Sequence, residues 1–373
     1  FNLGNIFLED DSDENHKSWD MAPRLHNRDA CMIISAQYGA KFYSVSASPS
    51  PDIYYFAKHN IFNLEGQLPI LPVPEIVNLK DERRKGNYSV WSEKLKNILA
   101  TGKGDVFIFL NRRGSAHYVG CRDCGYIVKC PECNRTMVYH SSTNDLVCHF
   151  CHQRQHMLTH CPNCHSVSMV MYGAGTELVE KEAYENWSKL YHIQRIDADT
   201  VFSQKQNTSD LPQLIIGTQM AWQKIDWDKI KTMVFLDIDT ELFQSDYRTT
   251  ERLWYYLRTA AIRLPKKSNI LIQTSHPEHR ILSFLNKPGK FYLTELTERK
   301  MLNYPPFNYL IRLWRGFSSP ETAVRTSLEM IKKLKILTQN LSGVIISNPL
   351  EMTPFFYQQK YWQVILIRLP YEF

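Results

Sequence analysis

The stretch from Cys121 to Cys164 reads CRDCGYIVKCPECNRTMVYHSSTNDLVCHFCHQRQHMLTHCPNC and holds eight of the nine cysteines of the chain. They form four CxxC pairs: Cys121/Cys124, Cys130/Cys133, Cys148/Cys151 and Cys161/Cys164. A gap of two residues lets both sulfurs of a pair reach one metal ion, and two pairs complete a tetrahedral shell of four thiolates. Zinc suits such a shell, which leaves no open position for chemistry. The four pairs therefore predict two structural zinc ions.

The spacing between the pairs bears on which of them share an ion. The second and third pairs flank Val138–Tyr139, which predicts a hairpin that brings them to one zinc. The first and fourth pairs are then left for the other zinc, in a nested arrangement. Consecutive pairing is the alternative, but the gap between the first two pairs is short for a ribbon that must fold back. The favoured ligand sets are Cys121, Cys124, Cys161 and Cys164 for zinc 1, and Cys130, Cys133, Cys148 and Cys151 for zinc 2.

A disulfide framework is the competing interpretation of these cysteines. The chain shows no secretory signal, its first segment is acidic, and outside the cluster it has only Cys31, which we expect to be buried in a core. Metal-bound, reduced thiols are therefore favoured, and they predict a cytoplasmic protein. No apolar run is long enough to cross a membrane, so no membrane partner is expected.

The composition limits the architecture and the class of partner. A chain of 373 residues with 43% hydrophobic residues allows roughly two or three domains with real cores. The formal net charge of +6 is mildly basic, which is compatible with nucleic acid without demanding it. The chain begins with Phe1 rather than methionine, so we expect it to be the C-terminal portion of a longer product.

Short apolar runs alternate with helical patterns over most of the chain. This alternation predicts an α/β fold with a parallel, doubly wound sheet into which the cysteine-rich module is inserted. The predicted helices are 28–35, 91–99, 177–190 and 247–264, and the predicted strands are 5–8, 41–45, 105–110, 168–172, 193–196, 214–216, 233–236 and 270–273. Residues 65–90, rich in proline and then in charge, are expected to be a linker.

A further segment follows the sequence YPPF at residues 304–307. Its pattern predicts a small C-terminal βαββ domain with a helix over 321–337 and strands over 309–315, 343–346 and 363–368. The apolar residues of that helix fall at helical spacing, which predicts a stripe that faces the core. These residues are Val324, Leu328, Ile331 and Leu334.

An ordered set of motifs resembles the family of primosomal protein N′, the PriA family of replication restart helicases. The residues that carry the resemblance are 23–29 (PRLHNRD), 109–114 (FLNRRG) followed by the CxxC pairs, 173–177 (GAGTE), 195–200 (RIDADT), 216–220 (IGTQM), 236–239 (LDID), 246–248 (DYR) with Glu251–Arg252, and 304–307 (YPPF). Each motif alone is weak, but their common order over nearly the whole chain is specific.

The resemblance implies remnants of RecA-like helicase lobes, with a double zinc-ribbon module inserted in the second lobe, nested ligand pairing and a small C-terminal α+β domain. The implied domains are a partial, degenerate first lobe over 1–75 and a second lobe over 76–120 and 167–303. The zinc-binding insertion takes 121–166, and the C-terminal domain takes 304–373.

The chain departs from the family at the motifs that hydrolyse ATP. The phosphate-binding loop GxxxxGK[ST] does not occur, and the Asp-Glu-Glu-His box reads Asp10-Asp11-Ser12-Asp13. The sixth motif has lost both glycines and contains Pro265, while Arg263 survives as a possible arginine finger. Asp10, Asp11 and Arg263 are therefore read as a vestigial nucleotide site with no catalytic residue, which leaves ATP and Mg²⁺ unsupported as cofactors. The pattern resembles the actinobacterial type of PriA, with decayed helicase motifs.

The resemblance implies a replication restart and primosome assembly protein that binds DNA, forked or single-stranded, and helps to reload the replicative helicase. The implied partners are primosome proteins, the replicative helicase or its loader, and single-stranded DNA-binding protein, in the nucleoid of a bacterial cytoplasm. Arg112, Arg113 and Thr218 are the candidates for nucleic-acid contacts. The alternatives are an active ATP-dependent 3'-5' DNA helicase and a general zinc-ribbon binder of RNA or DNA.

Overall fold

The computed structural model describes residues 3–17, 24–46, 48–59, 61–63, 65–66, 68–69, 71, 73–87, 89–110, 118–131, 137–140, 145–147, 153–172, 176–197, 211–242, 246–357 and 359–370. These residues divide into two compact units. One unit takes Phe1–Val77, Lys94–Asn111 and Glu180–Glu298, and the other takes Asn78–Glu93, Arg112–Val179 and Arg299–Phe373. Within the described part of the chain, no helix is long and apolar enough to span a bilayer.

The secondary structure follows the predicted alternation of strands and helices. The strands are β1 (Asn5–Glu9), β2 (Lys41–Val45), β3 (Glu75–Asn78), β4 (Asp105–Phe109), β5 (Tyr118–Cys121), β6 (Val138–His140), β7 (Asp145–Val147), β8 (Arg154–His156), β9 (Met169–Tyr172), β10 (His192–Ile196), β11 (Gln213–Gly217), β12 (Ile230–Phe235), β13 (Asn269–Thr274), β14 (Asn308–Phe317), β15 (Ile345–Ile346), β16 (Leu350–Tyr357) and β17 (Lys360–Pro370). The α-helices are α1 (Asn27–Tyr38), α2 (Pro51–Lys58), α3 (Leu79–Arg84), α4 (Glu93–Ala100), α5 (Thr176–Trp187), α6 (Asp239–Leu242), α7 (Thr249–Arg263), α8 (Arg280–Phe284), α9 (Pro288–Met301) and α10 (Pro320–Leu337). Short 3₁₀ helices lie at Glu14–His16, Gln219–Gln223 and Trp227–Lys229.

The first unit contains a six-stranded sheet in the order β10-β11-β4-β12-β13-β3. The five strands from β10 to β13 pair in parallel. They are apolar on both faces because both faces of such a sheet are covered, as the burial of Phe107, Ile108 and Val234 shows. This sheet confirms the predicted α/β fold with a parallel sheet. The expected linker over 65–90 is wrong in part, because β3 is the edge strand of this sheet.

Aromatic residues form much of the core on one side of this sheet. Phe109 of β4 packs edge-on against Trp222, with ring centroids 5.3 Å apart, and against Phe235 at 5.4 Å. Helix α7 contributes Trp254, which stacks on Phe291 of α9 at 4.1 Å. Helix α7 is therefore held in the interior of the unit. Its last turn brings Arg263 to Asp10, the residue that follows β1.

The first unit also contains β1 and β2, which pair in parallel from Asn5 opposite Lys41 to Glu9 opposite Val45. Helix α1 lies between them in sequence and ends at Gly39, whose φ of 64° suits a residue without a side chain. Cys31 on α1 is half-buried rather than buried, so its expected place in a core is wrong. The loop that follows β1 carries Asp10–Asp13, the residues predicted to be a degenerate Asp-Glu-Glu-His box, and Ser46 follows β2.

The second unit contains two antiparallel sheets. One has the order β8-β7-β6-β5-β9 and includes the predicted hairpin, formed by β6 and β7. The other consists of β14, β17 and β15 in that order, with β16 paired to β17. The predicted βαββ pattern is therefore one strand short, because β16 was missed.

Helix α10 covers one face of the C-terminal sheet. Ser319 caps its start by accepting a hydrogen bond from the backbone of Thr322, and Pro320 occupies its first turn. The residues that this helix buries are Ala323, Ser327 and Ile331, and Leu334 is half-buried beside the sheet. The predicted stripe is therefore wrong at Val324 and Leu328, which are 41% and 44% exposed.

Candidate metal centre and predicted vestigial nucleotide site

The first and fourth CxxC pairs come together in the second unit. The sulfurs of Cys121, Cys124, Cys161 and Cys164 all lie within 4.8 Å of one another. Two of the distances, Cys121 to Cys164 and Cys124 to Cys161, are 3.5 Å. Four sulfurs at about 2.3 Å from a central zinc would be about 3.8 Å apart, so the arrangement fits a tetrahedral metal site. This is the nested pairing, and these four cysteines can hold a metal ion.

Two similar turns present the four sulfurs. In the first turn, the N–H of Gly125 donates to the carbonyl oxygen of Cys121 at 3.1 Å, and in the second that of His165 donates to Cys161 at 2.9 Å. Gly125 has a φ of 75° and His165 a φ of 60°, so both residues after the pairs are left-handed. The turn geometry explains the CxxC spacing, because each turn directs two thiols to the same side.

The protein scaffold favours thiolate at one of these cysteines. Partial burial of Cys124 opposes ionisation, but hydrogen bonds from Asn163 and the backbone of Tyr126 lower the pKa of its thiol to about 7. Two of its partners shift the other way: burial raises the pKa of Cys121, and for Cys164 a backbone hydrogen bond from Ser166 lowers the pKa, but burial and the other three thiols raise it to about 12. Because metals bind the thiolate, binding at this site would release protons.

Contacts that sequence reasoning missed join the two turns. Ser166 donates a short hydrogen bond from its hydroxyl to the carboxylate of Asp123, and its oxygen accepts from the backbone of Ser168 at 3.0 Å. The backbone of Arg122 donates to Ser168 at 2.9 Å. These polar groups fix the first turn against the second without touching the metal position. The spacing of the cysteines contains no signal for them.

The second predicted metal site falls largely outside the described residues. Cys130 is buried in an apolar cluster with Val119, Val128, Met137 and Leu146. Its three predicted partners, Cys133, Cys148 and Cys151, are not among the described residues. The hairpin of β6 and β7, which was expected to bring them together, is present. The second zinc therefore stays a prediction.

Asp10, at the end of β1, has both carboxylate oxygens engaged. Its Oδ1 accepts a hydrogen bond from the hydroxyl of Ser46, which follows β2, at 3.0 Å, and its Oδ2 lies 3.2 Å from the guanidinium of Arg263. Its backbone N–H donates to Val45 at 2.8 Å, which continues the pairing of β1 and β2. Arg263 also lies over the ring of Trp227, 5.9 Å from its centroid. The structure thus brings together two of the three residues assigned to a vestigial nucleotide site.

Asp11, the third of these residues, is fully buried, and its partners differ from those of Asp10 and Arg263. Its carboxylate accepts from the backbone of Ser50 at 3.1 Å and lies 3.9 Å from Arg28. Arg28 is closer to two other carboxylates, those of Asp29 at 3.0 Å and Asp52 at 3.3 Å. Burial raises the pKa of Asp11 to about 6, although the positive charge of Arg28 acts to lower it. The side chain of Asp11 is 0% exposed, so bulk water does not contact its carboxylate in this structure.

Asp13, at the position of the histidine of the family box, contacts two elements. Its Oδ1 accepts from the amide of Gln219 at 2.9 Å, and its Oδ2 accepts from the hydroxyl of Tyr255 at 3.3 Å. The neighbouring Glu14 pairs with Arg252 at 3.4 Å. These contacts attach residues 13–14 to the 3₁₀ helix after β11 and to α7.

The candidates for nucleic-acid contacts remain predictions. Arg112 and Arg113 lie outside the described residues. Thr218 caps the 3₁₀ helix Gln219–Gln223, because its hydroxyl oxygen accepts from the backbone N–H of Met220. A capping role accounts for Thr218 whether or not DNA is bound.

Several known proteins similar to this chain are described as replication restart protein PriA, although no protein-family model matches. The replication restart protein PriA of Borreliella burgdorferi is 30% identical over 354 residues, which cover 90% of this chain and 52% of that protein. The PriA of Bacillus subtilis is 29% identical over 83% of this chain and 41% of that protein. The PriA of Synechocystis is 28% identical over 99% of this chain and 47% of that protein. The chain thus spans about half the length of these relatives. Among solved structures, a variant of S. cerevisiae Dbp5 bound to RNA and ADP BeF3 gives a TM-score of 0.36 at 12% identity, covering 78% of this chain and 57% of that one.

Proposed function

Because this chain belongs to the PriA family of replication restart proteins, we propose that it assembles primosomes without a motor of its own. In this proposal it binds DNA at stalled forks and helps to reload the replicative helicase. Its partners are forked or single-stranded DNA, primosome proteins, the replicative helicase or its loader, and single-stranded DNA-binding protein. Its site of action is the nucleoid of a bacterial cytoplasm, where such forks occur.

The proposed domains follow the family. Residues 1–75 are a remnant of the first RecA-like lobe, and 76–120 with 167–303 form the second. The insertion 121–166 carries two structural zinc ions in the nested arrangement, and 304–373 form the C-terminal α+β domain. The convergence of Cys121, Cys124, Cys161 and Cys164 supports the first zinc site. A shell of four thiolates leaves no position for a reacting water, so the role proposed for the metal is structural.

The burial of Asp11 carries the proposal that no motor is present. In a helicase motor the second motif supplies carboxylates for Mg²⁺ and for the attacking water. Here the side chain that takes the water-polarising position is 0% exposed and accepts from the backbone of Ser50. Asp10 is matched to Arg263, so its charge is already compensated. Neither carboxylate is available in the way that hydrolysis requires.

The test is ATP hydrolysis by the protein in the presence and absence of forked DNA, measured beside fork binding by fluorescence anisotropy. We expect no turnover above background, together with tighter binding to a fork than to plain single strands of the same length. An Arg263→Ala variant is compared with Lys267→Ala, which removes an exposed charge from the loop that follows α7.

Each other outcome identifies a different function. DNA-stimulated turnover that is lost in Arg263→Ala but kept in Lys267→Ala would show an active helicase and refute the proposal. Equal affinity for forks and plain single strands would instead indicate a general zinc-ribbon binder. Metal content by mass spectrometry completes the test, since two zinc ions per chain are expected.

A further inference from the structure

The segment Asp10–Glu14 is attached by its side chains to residues more than 200 positions later in the chain. Asp10 pairs with Arg263, Asp13 accepts from Gln219, and Glu14 pairs with Arg252. These three pairs are here called the polar closing contacts. They connect residues 3–77 with the 3₁₀ helix after β11 and with α7, within the first compact unit.

A second group of contacts connects the same two parts of the chain through buried aromatic groups. The hydroxyl of Tyr292 donates to the carbonyl oxygen of Pro49 at 2.8 Å, and its ring stacks on Tyr54 with centroids 4.1 Å apart. Arg258, whose side chain is fully buried, donates to the carbonyl oxygen of Pro69 at 2.9 Å. Together with the polar closing contacts, these buried contacts attach residues 3–77 extensively to the later part of the chain. They stabilise the attachment because they remove aromatic rings and the stem of an arginine from water.

We infer that the closing contacts hold residues 3–77 against residues 211–298 without any nucleotide, and that Arg263 takes at Asp10 the place of a metal-bound nucleotide. A ligand can close a protein only if it binds the closed state better than the open one. Here the charges of the protein itself complete the closed state. A Mg²⁺-nucleotide at Asp10 would have to displace a guanidinium that is already in contact.

This inference deepens the proposed function, because it explains what the decayed motifs do in place of catalysis. A motor opens and closes once per turnover and therefore needs weak contacts across its cleft. A protein that assembles other proteins on DNA gains from a single, fixed arrangement, since partners then bind a surface that is already formed. The altered motifs thus become a permanent attachment between two parts of the chain.

Hydrogen exchange of backbone amides, followed by mass spectrometry, tests the inference on the whole protein. Peptides covering residues 5–17 and 259–264 should be protected in the absence of nucleotide. Millimolar Mg-ATP or its non-hydrolysable analogue should leave their exchange rates unchanged. A nucleotide-dependent slowing in either peptide would overturn the inference, because closure would then depend on a ligand.

Variants of the first pair provide the second measurement. Arg263→Gln and Asp10→Asn should each raise the exchange rate of residues 5–17 by up to about fivefold, which is the upper range for a partly exposed ion pair. The double variant should show no further increase, because either change alone removes the pair. Lys267→Gln is the control. The pair would be refuted as a closing contact if neither single variant changed the exchange rate of residues 5–17. It would also be refuted if the effects of the two single variants added in the double variant.

The two proposals fail in different ways. ATP turnover with exchange that ignores nucleotide would refute the absence of a motor and leave the closing contacts standing. Absent turnover with nucleotide-dependent exchange would refute the closing contacts and leave the proposed function standing.

Discussion

The burial of Asp11 predicts an unusual dependence of stability on pH. Burial raises the pKa of its carboxyl from 3.8 to about 6 in the folded protein. The folded state therefore holds this proton more tightly than the unfolded state does. The resulting contribution to stability is fully present below about pH 4 and is lost as the pH rises through about 6. At about 1.4 kcal/mol for each pH unit, the loss amounts to about 3 kcal/mol.

The perturbation that isolates this contribution is Asp11→Asn, which keeps the shape of the side chain and removes its titration. The free energy of unfolding is measured in urea between pH 4 and pH 8 for the variant and for the unchanged protein. The variant should gain stability relative to the unchanged protein as the pH rises, by up to about 3 kcal/mol. His26 is buried nearby, and its pKa is depressed by that burial. Its effect cancels in the difference because both proteins contain it.

Asp29→Asn is the matched control. It removes one carboxylate that pairs with the same Arg28, at 3.0 Å, but from a side chain that is 48% exposed. A stability difference between Asp11→Asn and the unchanged protein that stays constant from pH 4 to pH 8 would refute the reasoning. It would mean that the carboxylate of Asp11 is hydrated in solution.

Three further predictions concern the metal site and the parallel sheet. Cys124→Ser should lower the zinc content by one ion per chain, measured by mass spectrometry of the native protein, because a three-thiolate shell holds zinc less tightly. Gly217→Ala should lower the free energy of unfolding in urea by about 1–3 kcal/mol, since a new Cβ would lie 2.6 Å from that of Ala221. Gly289→Ala, where a Cβ meets nothing within 4 Å, is its control. His165→Gly should raise the melting temperature of the zinc-loaded protein, because it relieves a left-handed residue of about 1 kcal/mol of strain.

Several features followed from local patterns in the sequence. The apolar runs that became β4, β11, β12 and β13 were identified because a parallel sheet buries both faces, which makes its strands continuously apolar. The CxxC spacing indicated which sulfurs could share an ion, since one tight turn determines where both thiols point. In both cases the signal lies within a few consecutive residues, although the strands and the turns that come together are distant in the chain.

Other features depended on contacts between distant parts of the chain. Helix α9 was missed because its apolar and polar residues do not separate clearly on two faces, and β16 because it pairs only through β17. The apolar stripe of α10 was predicted correctly at Ile331 and Leu334 but not at Val324 and Leu328, because the buried positions in its first half are the small residues Ala323 and Ser327. Periodicity shows that a helix is amphipathic, but close packing favours small residues as well as apolar ones.

The sequence by itself determined the family, the α/β class and the four cysteines that converge, because each is written in ordered motifs or local spacing. The tertiary structure alone decided the contacts of the carboxylates at residues 10–13. Asp10, Asp11 and Asp13 are neighbours in the chain, but their partners differ. Asp10 pairs with Arg263, the buried Asp11 accepts a hydrogen bond from the backbone of Ser50, and Asp13 accepts one from Gln219. The ionisation and accessibility of a carboxylate depend on the groups that fold around it, and those groups come from positions about 40 to 250 residues away.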